Sequence, residues 1–347
     1  VLPFASFSAS TLVGRIPEFD DDLSRLTTRR VLAVRSVPAE AKPGDPVTLT
    51  ALVADPDSTE SATELSWSLC LARKPLTELG PVAQDCIDRF GSSSEIFAPL
   101  GNGTEVTATL PDDACRQFGP LRPPAENGEK AGRPVDPDLS GGYFQPLVVG
   151  EEEANLGSIR ISCGAVGLSL DESIVFTRGY RPNENPEFGE VTLSGDDGDL
   201  TLSDDGAGGD VQQIRAGETF TLEAAFPVCP AKAECGDGIC SAGENQVDCA
   251  ADCRENPKGC AGAERYLFAD VENAKTVEHT ESVVVAWFSN AGRFGGEQTE
   301  AELDDETPRA ENTWTAPDKT GPVRIWLVAR DDRGGVGWRS YTLEIVD

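Results

Sequence analysis

Methionine is absent from all 347 residues, and histidine occurs once, as His279. Without an initiator residue the chain is expected to be processed, or part of a longer gene product. A single imidazole, set in the polar run VEHTES, leaves most hydrolase and metalloenzyme mechanisms without the side chain they draw on first. No run approaches 18 consecutive apolar residues, so no membrane-spanning helix is expected, while an anchor attached upstream of Val1 stays open. Paired C-x2-C knuckles, the usual zinc frame, are missing. Positive charge is short as well: 29 Lys and Arg stand against 60 Asp and Glu, a formal charge of −31. Such a surface repels nucleic acid and anionic lipid and favours cations or a basic partner.

Cysteine, by contrast, is plentiful. Ten residues, an even number, point to an oxidising compartment and up to five disulfides. Four are dispersed, at Cys70, Cys86, Cys115 and Cys163; six crowd into 229–260, at Cys229, Cys235, Cys240, Cys249, Cys253 and Cys260. The length suits two domains and a small module.

Residues 1–28 mix small polar and acidic residues without a sustained period and read as an extended arm or tether. Leu2, Phe4, Phe7, Leu12 and Ile16 are odd in a solvated linker and would suit an arm that packs on a neighbour. From Arg30 strands alternate: Val47, Leu49, Ala51 and Val53 share one face, and so do Leu65, Trp67 and Leu69. Strand, Pro-Gly turn, strand, turn and strand with an inward tryptophan is how an immunoglobulin-like sandwich opens. Domain 29–180 then carries a long irregular insertion, 73–146, with EVTATLP at 105–111 as its one clear strand. A connection of that length needs crosslinks or a function. Four cysteines allow three connectivities, and the preferred one joins Cys70 to Cys86 and Cys115 to Cys163. SIRISCGAV and ESIVFTRGY are expected to complete the sandwich as strands.

YRPNENPEF reads as a stiff linker, since Pro182 and Pro186 hold their neighbours extended. Domain 181–347 repeats the pattern. PGDPVTLTALV (43–53) aligns without gaps on AGETFTLEAAF (216–226). The chain closes with a hairpin in which Val323, Ile325, Leu327 and Ala329 face one way and Tyr341, Leu343 and Ile345 return after an Asp-Arg-Gly-Gly turn. Trp326 lies on the opposite face, to be covered by a neighbouring layer or left exposed for a partner.

The insert 229–260 encloses almost no apolar side chains beyond Ile239 and Val247 and cannot fold on a core. Disulfides or a metal must hold it. Asp237, Glu244, Asp248 and Asp252 lie between its cysteines with glycines that allow tight backbone, a chemistry suited to calcium. The competing account is disulfides alone with solvated carboxylates.

The closing VRIWLVARDDRGGVGWRSYTLEIV is similar to the last hairpin of PKD-type domains. RRVLAVRSVPAEAKPGDPVTLTALVADP, WSLC, GGYFQP, YRPNENP, the CGDG-type module and NTWTAP together resemble surface lipoproteins of myxobacteria and related deltaproteobacteria. The module is distantly similar to Notch-type calcium repeats. The resemblance implies an exported protein at the outer membrane or cell surface, or in the periplasm, with a possible lipid anchor and no assigned activity. The expectation is therefore an all-β protein of two immunoglobulin- or PKD-like sandwiches with crosslinked loops and a cysteine-rich insert. It is non-catalytic, structural or adhesive, and has protein partners in the envelope. The alternative is an accessory subunit of an envelope or filament complex docking through residues 1–28. A carbohydrate-active enzyme ranks lower, because no carboxylate pair is singled out.

Overall fold

Alternation with a period of two places every second side chain of a strand on one face, and two such faces must bury each other. The computed structural model describes residues 22–58, 64–72, 82–117, 141–151, 153–165, 167–205, 211–230, 232–241, 243–254, 259–270, 272–301 and 308–347. Its first half holds β1 (Arg30–Val37), β2 (Glu40–Ala41), β3 (Pro46–Ala54), β4 (Ser66–Cys70), β5 (Phe97–Asn102), β6 (Glu105–Thr109), β7 (Gly142–Gly150) and β8 (Asn155–Ser162). They form two sheets, β1-β3-β6 and β2-β8-β7-β4-β5. Between them lie Leu49, Trp67, Leu69, Leu147, Ile159 and Ile161. Two single turns, α1 (Asp85–Asp88) and α2 (Ala114–Gln117), carry a cysteine each, so that Cys70 bonds Cys86 and Cys115 bonds Cys163. The span 73–146 is more regular than its Pro- and Gly-rich sequence suggests, since it also contains β5 and the start of β7. Residues 73–81 and 118–140 of it lie outside the described residues, as do 1–21 of the arm.

One expected strand is a helix. ESIVFTRGY belongs to α3 (Leu170–Gly179), whose N-cap Ser169 accepts a hydrogen bond from the Glu172 N–H at 3.3 Å. Ser169 and Glu172 have the spacing of a capping box, Asp171 and Glu172 face the positive helix end, and Arg178 lies in the last turn. These end signals outweigh the strand preference of Ile174 and Val175.

The second half comprises β9 (Val191–Gly195), β10 (Gly198–Thr201), β11 (Gln212–Arg215), β12 (Thr219–Ala225), α4 (Ala250–Cys253), β13 (Arg265–Asp270), β14 (Lys275–Thr280), β15 (Val283–Ser289), β16 (Arg293–Phe294), β17 (Gln298–Glu300), β18 (Arg309–Thr315), β19 (Gly321–Asp331) and β20 (Val336–Val346). Sheets β10-β9-β12-β18-β16 and β11-β20-β19-β15-β17 enclose Trp287, Trp314, Leu222, Ile325, Leu327 and Leu343, and β13 pairs with β14 as a separate hairpin. The repeated segments 43–53 and 216–226 become β3 and β12. Each follows a turn whose glycine takes left-handed backbone, Gly44 at φ 83 and Gly217 at φ 70. The chain is thus all-β, two sandwiches with crosslinked loops and a small cysteine-rich insert.

The two sandwiches share an apolar contact. Trp326 and Val328, on the outer face of β19, pack with Ala286 against Leu32, Ala33 and Ala54 of the first sandwich. Leu26 joins this cluster, and Ser24 and Leu26 exchange backbone hydrogen bonds with Ser289. Trp326 is therefore covered, and the described end of the arm packs on its own chain.

Candidate functional site: a disulfide knob and a buried charge cluster

Cys229–Cys260 closes the insert at its base, while Cys235–Cys249 and Cys240–Cys253 cross inside it. With no core, side chains must organise the backbone. Asp252 accepts the N–H groups of Gly236 and Gly238, Asp237 that of Ile239 at 2.8 Å, and Glu244 that of Ser241 at 2.9 Å. Asp248 accepts from the Asn245 amide. The four carboxylates proposed for calcium therefore do not converge as a set. Asp237 and Asp248 serve local turns, whereas Glu244 and Asp252 lie beside the Cys235–Cys249 bridge, with their oxygens and the two sulfurs all within 4.8 Å of one another.

This cluster suits a metal through its oxygens, because the sulfurs are spent in a disulfide and a hard cation prefers oxygen. Glu244 is buried and its Oε1 has no hydrogen-bond partner among the described residues. A buried, unsatisfied carboxylate oxygen is costly unless something positive sits near it, and that orphan atom is the fit to a cation here. The knob rests on the end of α3. Gly243 N–H points at the Gly179 carbonyl at 3.5 Å, and Arg181 Nε lies 2.8 Å from Cys240 Sγ. A cleft of about 430 Å³ lined by Thr177, Arg178, Arg181, Asn245, Val247 and Asp248 opens between them.

The second site escaped the sequence. Arg333, in the β19–β20 turn, is 2% exposed. Its Nη1 donates to Glu281 at 2.9 Å and lies 3.7 Å from Glu264; its Nη2 donates to the Arg181 carbonyl at 2.6 Å and to Glu40 at 3.3 Å. Glu40, contributed by β2, also accepts from Arg160 Nε at 3.1 Å, from the Tyr180 hydroxyl at 2.7 Å and from the Asn183 N–H at 3.0 Å. Asn183 in turn donates to Asp331, and Asn185 bridges Ser36 on one sandwich to Val336 on the other. The linker, expected to be stiff, is threaded through the cluster.

Burial works against the charge on Glu40, but Arg160 and Arg333 outweigh it and hold its carboxyl below the usual range. Burial wins at the other acids. It pushes Glu264 up to about 7, with Arg333 opposing and Glu184 adding to the rise, and raises Glu281 and Asp331 too. No sequence signal marks these residues, since Arg333 stands in an Asp-Arg-Gly-Gly turn that reads as solvent-exposed. It is enclosed by Glu264, Glu281 and Tyr266 of the second half together with Glu40 of the first.

No protein-family pattern and no curated protein matches the chain. Among solved structures, the chain is similar to the Yersinia pseudotuberculosis adhesin InvE, at 11% identity over 93% of this chain and 61% of the adhesin, with a TM-score of 0.20. A marsupial T cell receptor matches at 8% identity over 90% of this chain and 99% of the receptor, TM-score 0.25. A putative membrane anchored protein from Corynebacterium diphtheriae matches at 8% over 92% and 59%, TM-score 0.22. The chain spans less than two thirds of the adhesin's length, and likenesses this distant bear on no activity.

Proposed function

We propose that this chain is a non-catalytic structural or adhesive module of the cell envelope or surface, a stiff pair of immunoglobulin-like sandwiches that presents the 229–260 knob to a protein partner. The observation that carries the reading is the junction. Two sandwiches joined by a free linker would reorient, whereas these share an apolar cluster, a clamp of charges and a linker hydrogen-bonded on both sides. Ten cysteines, all paired, belong to an oxidising, extracellular or envelope location. Anchoring at the outer surface, by a lipid or by the partner, follows from the same reading.

Calcium is the cation that the hard oxygens of Glu244 and Asp252 would hold, stiffening the knob. Carboxylates also converge at the junction, but there they grip two guanidinium groups, as in a clamp. Replacing 229–260 by a short Gly-Ser link in the exported protein tests the whole. Adhesion, or association with the envelope partner, should be lost while both sandwiches still melt cooperatively. Unchanged adhesion and association would remove the knob from the function.

A further inference from the structure

The charges at the junction do not balance. Glu40, Glu264, Glu281 and Asp331 are all buried, against two buried guanidinium groups, Arg160 and Arg333. Arg181 is near but turned elsewhere, toward the Cys240 sulfur and the Tyr180 carbonyl. Two of the acids are well supplied. Glu40 has both guanidiniums, the Tyr180 hydroxyl and the Asn183 N–H. Asp331 accepts the N–H groups of Arg333 and Gly335 and the Asn183 amide.

Glu264 and Glu281 are left to share one nitrogen, Nη1 of Arg333. Glu281 additionally accepts the Glu264 N–H at 3.2 Å, and the Cys260 N–H supports Glu264, whose Oε2 has no partner among the described residues. The groups facing this pair are Arg333 and Asp331 from the closing hairpin, Arg181 and Glu184 from the linker, and Tyr266 from β13, with Asp332 and the lone His279 of β14 beyond them. Arg333 is shared by both acids and Arg181 is turned away from them, so a second ionised carboxylate has no cation of its own.

The geometry points to a proton as the missing cation: Glu264 and Glu281 hold one between them while the sandwiches are clamped, and its loss at higher pH weakens the clamp. Burial is what favours the proton, and the direction of both carboxyls agrees with it, Glu264 standing near 7 and Glu281 raised as well. The sign follows. A carboxyl whose folded value lies above its unfolded one destabilises the folded state as pH rises, beginning at the unfolded value and ending at the folded one. The tandem is therefore tightest in mild acid and loosens toward alkaline pH. For Glu264, going from an ordinary 4.5 to about 7 corresponds to a roughly 300-fold change in the folded-to-unfolded ratio across that window.

The test uses the intact, oxidised chain. Its melting temperature is followed from pH 5 to pH 9, together with difference infrared spectra that report protonated carboxyl groups. Wild type should lose stability over that range and lose a protonated-carboxyl band. Glu281→Gln and Glu264→Gln mimic the protonated acid, so each should fold and flatten the pH dependence. A flat wild-type profile, an unchanged slope in both variants, or a metal ion found at the pair in place of the proton would each overturn the proposal. If one variant fails to fold, the other decides: a flattened profile supports the buried proton and an unchanged slope refutes it; if both fail, the wild-type band is read above pH 6, where solvated carboxyls are almost fully ionised, and its absence there refutes the proposal.

Discussion

Glu40→Gln keeps the shape of the side chain and removes one charge from the first sandwich's side of the clamp. Arg160 then loses the carboxylate 3.1 Å from its Nε and Arg333 the one 3.3 Å from its Nη2, both with side chains 2% exposed or less. Removing one partner from a buried ion pair typically costs about 3–5 kcal/mol, because the other charge stays desolvated. Urea unfolding of the oxidised protein at pH 7, read by circular dichroism, should show a loss in that range. The effect should also depend on pH. Glu40 is held below the usual carboxylate range, so its contribution is present above that range and is lost as pH falls through the folded value. Wild type and Glu40→Gln should therefore converge in strong acid and differ most near neutrality. A loss under about 1 kcal/mol at pH 7, or a difference that does not shrink in acid, would refute the idea that this carboxylate clamps the two halves.

Other consequences are simpler to check. Replacing Cys115 and Cys163 by serine opens a loop of 48 residues, which the chain-entropy relation puts at about 4 kcal/mol. Replacing Cys235 and Cys249, 14 apart, should cost about 3 kcal/mol; thermal melts rank the pair. Calcium at 100 times its dissociation constant should stabilise the knob by about 2.7 kcal/mol, seen as a higher melting temperature than in chelator and abolished by Glu244→Gln or Asp252→Asn. No shift with calcium would leave the disulfides as the knob's sole support. Ser169→Ala removes the cap of α3 and should cost about 1 kcal/mol, measured by urea unfolding.

Period and turn chemistry made most of the scaffold legible. Val47, Leu49 and Ala51, or Ile325 and Leu327, declare their buried face by alternation, and both repeated turns need a glycine that the sequence supplies. Helix α3 departs from the strand expected there: Ile174 and Val175 favour a strand, and the capping pair Ser169 and Glu172 outweighs them. Inside the knob, carboxylate spacing named Glu244 and Asp252 but could not separate them from Asp237 and Asp248, whose roles depend on how the disulfides cross. The charge cluster was illegible for a physical reason. Glu40, Arg160, Glu264 and Arg333 are far apart in sequence, and the cluster forms where residues of both sandwiches and the linker converge, which no local pattern announces.

The central claim is that the two sandwiches form one stiff unit. Spin labels introduced as non-natural amino acids at the exposed positions Thr107 and Thr313, one on each sandwich, leave every disulfide intact and report the distance between them by pulsed electron resonance. The account predicts a single narrow distribution at pH 6, broadened by Trp326→Ala, which empties the apolar contact at the junction. A broad distribution in the unmutated protein at pH 6 would contradict it.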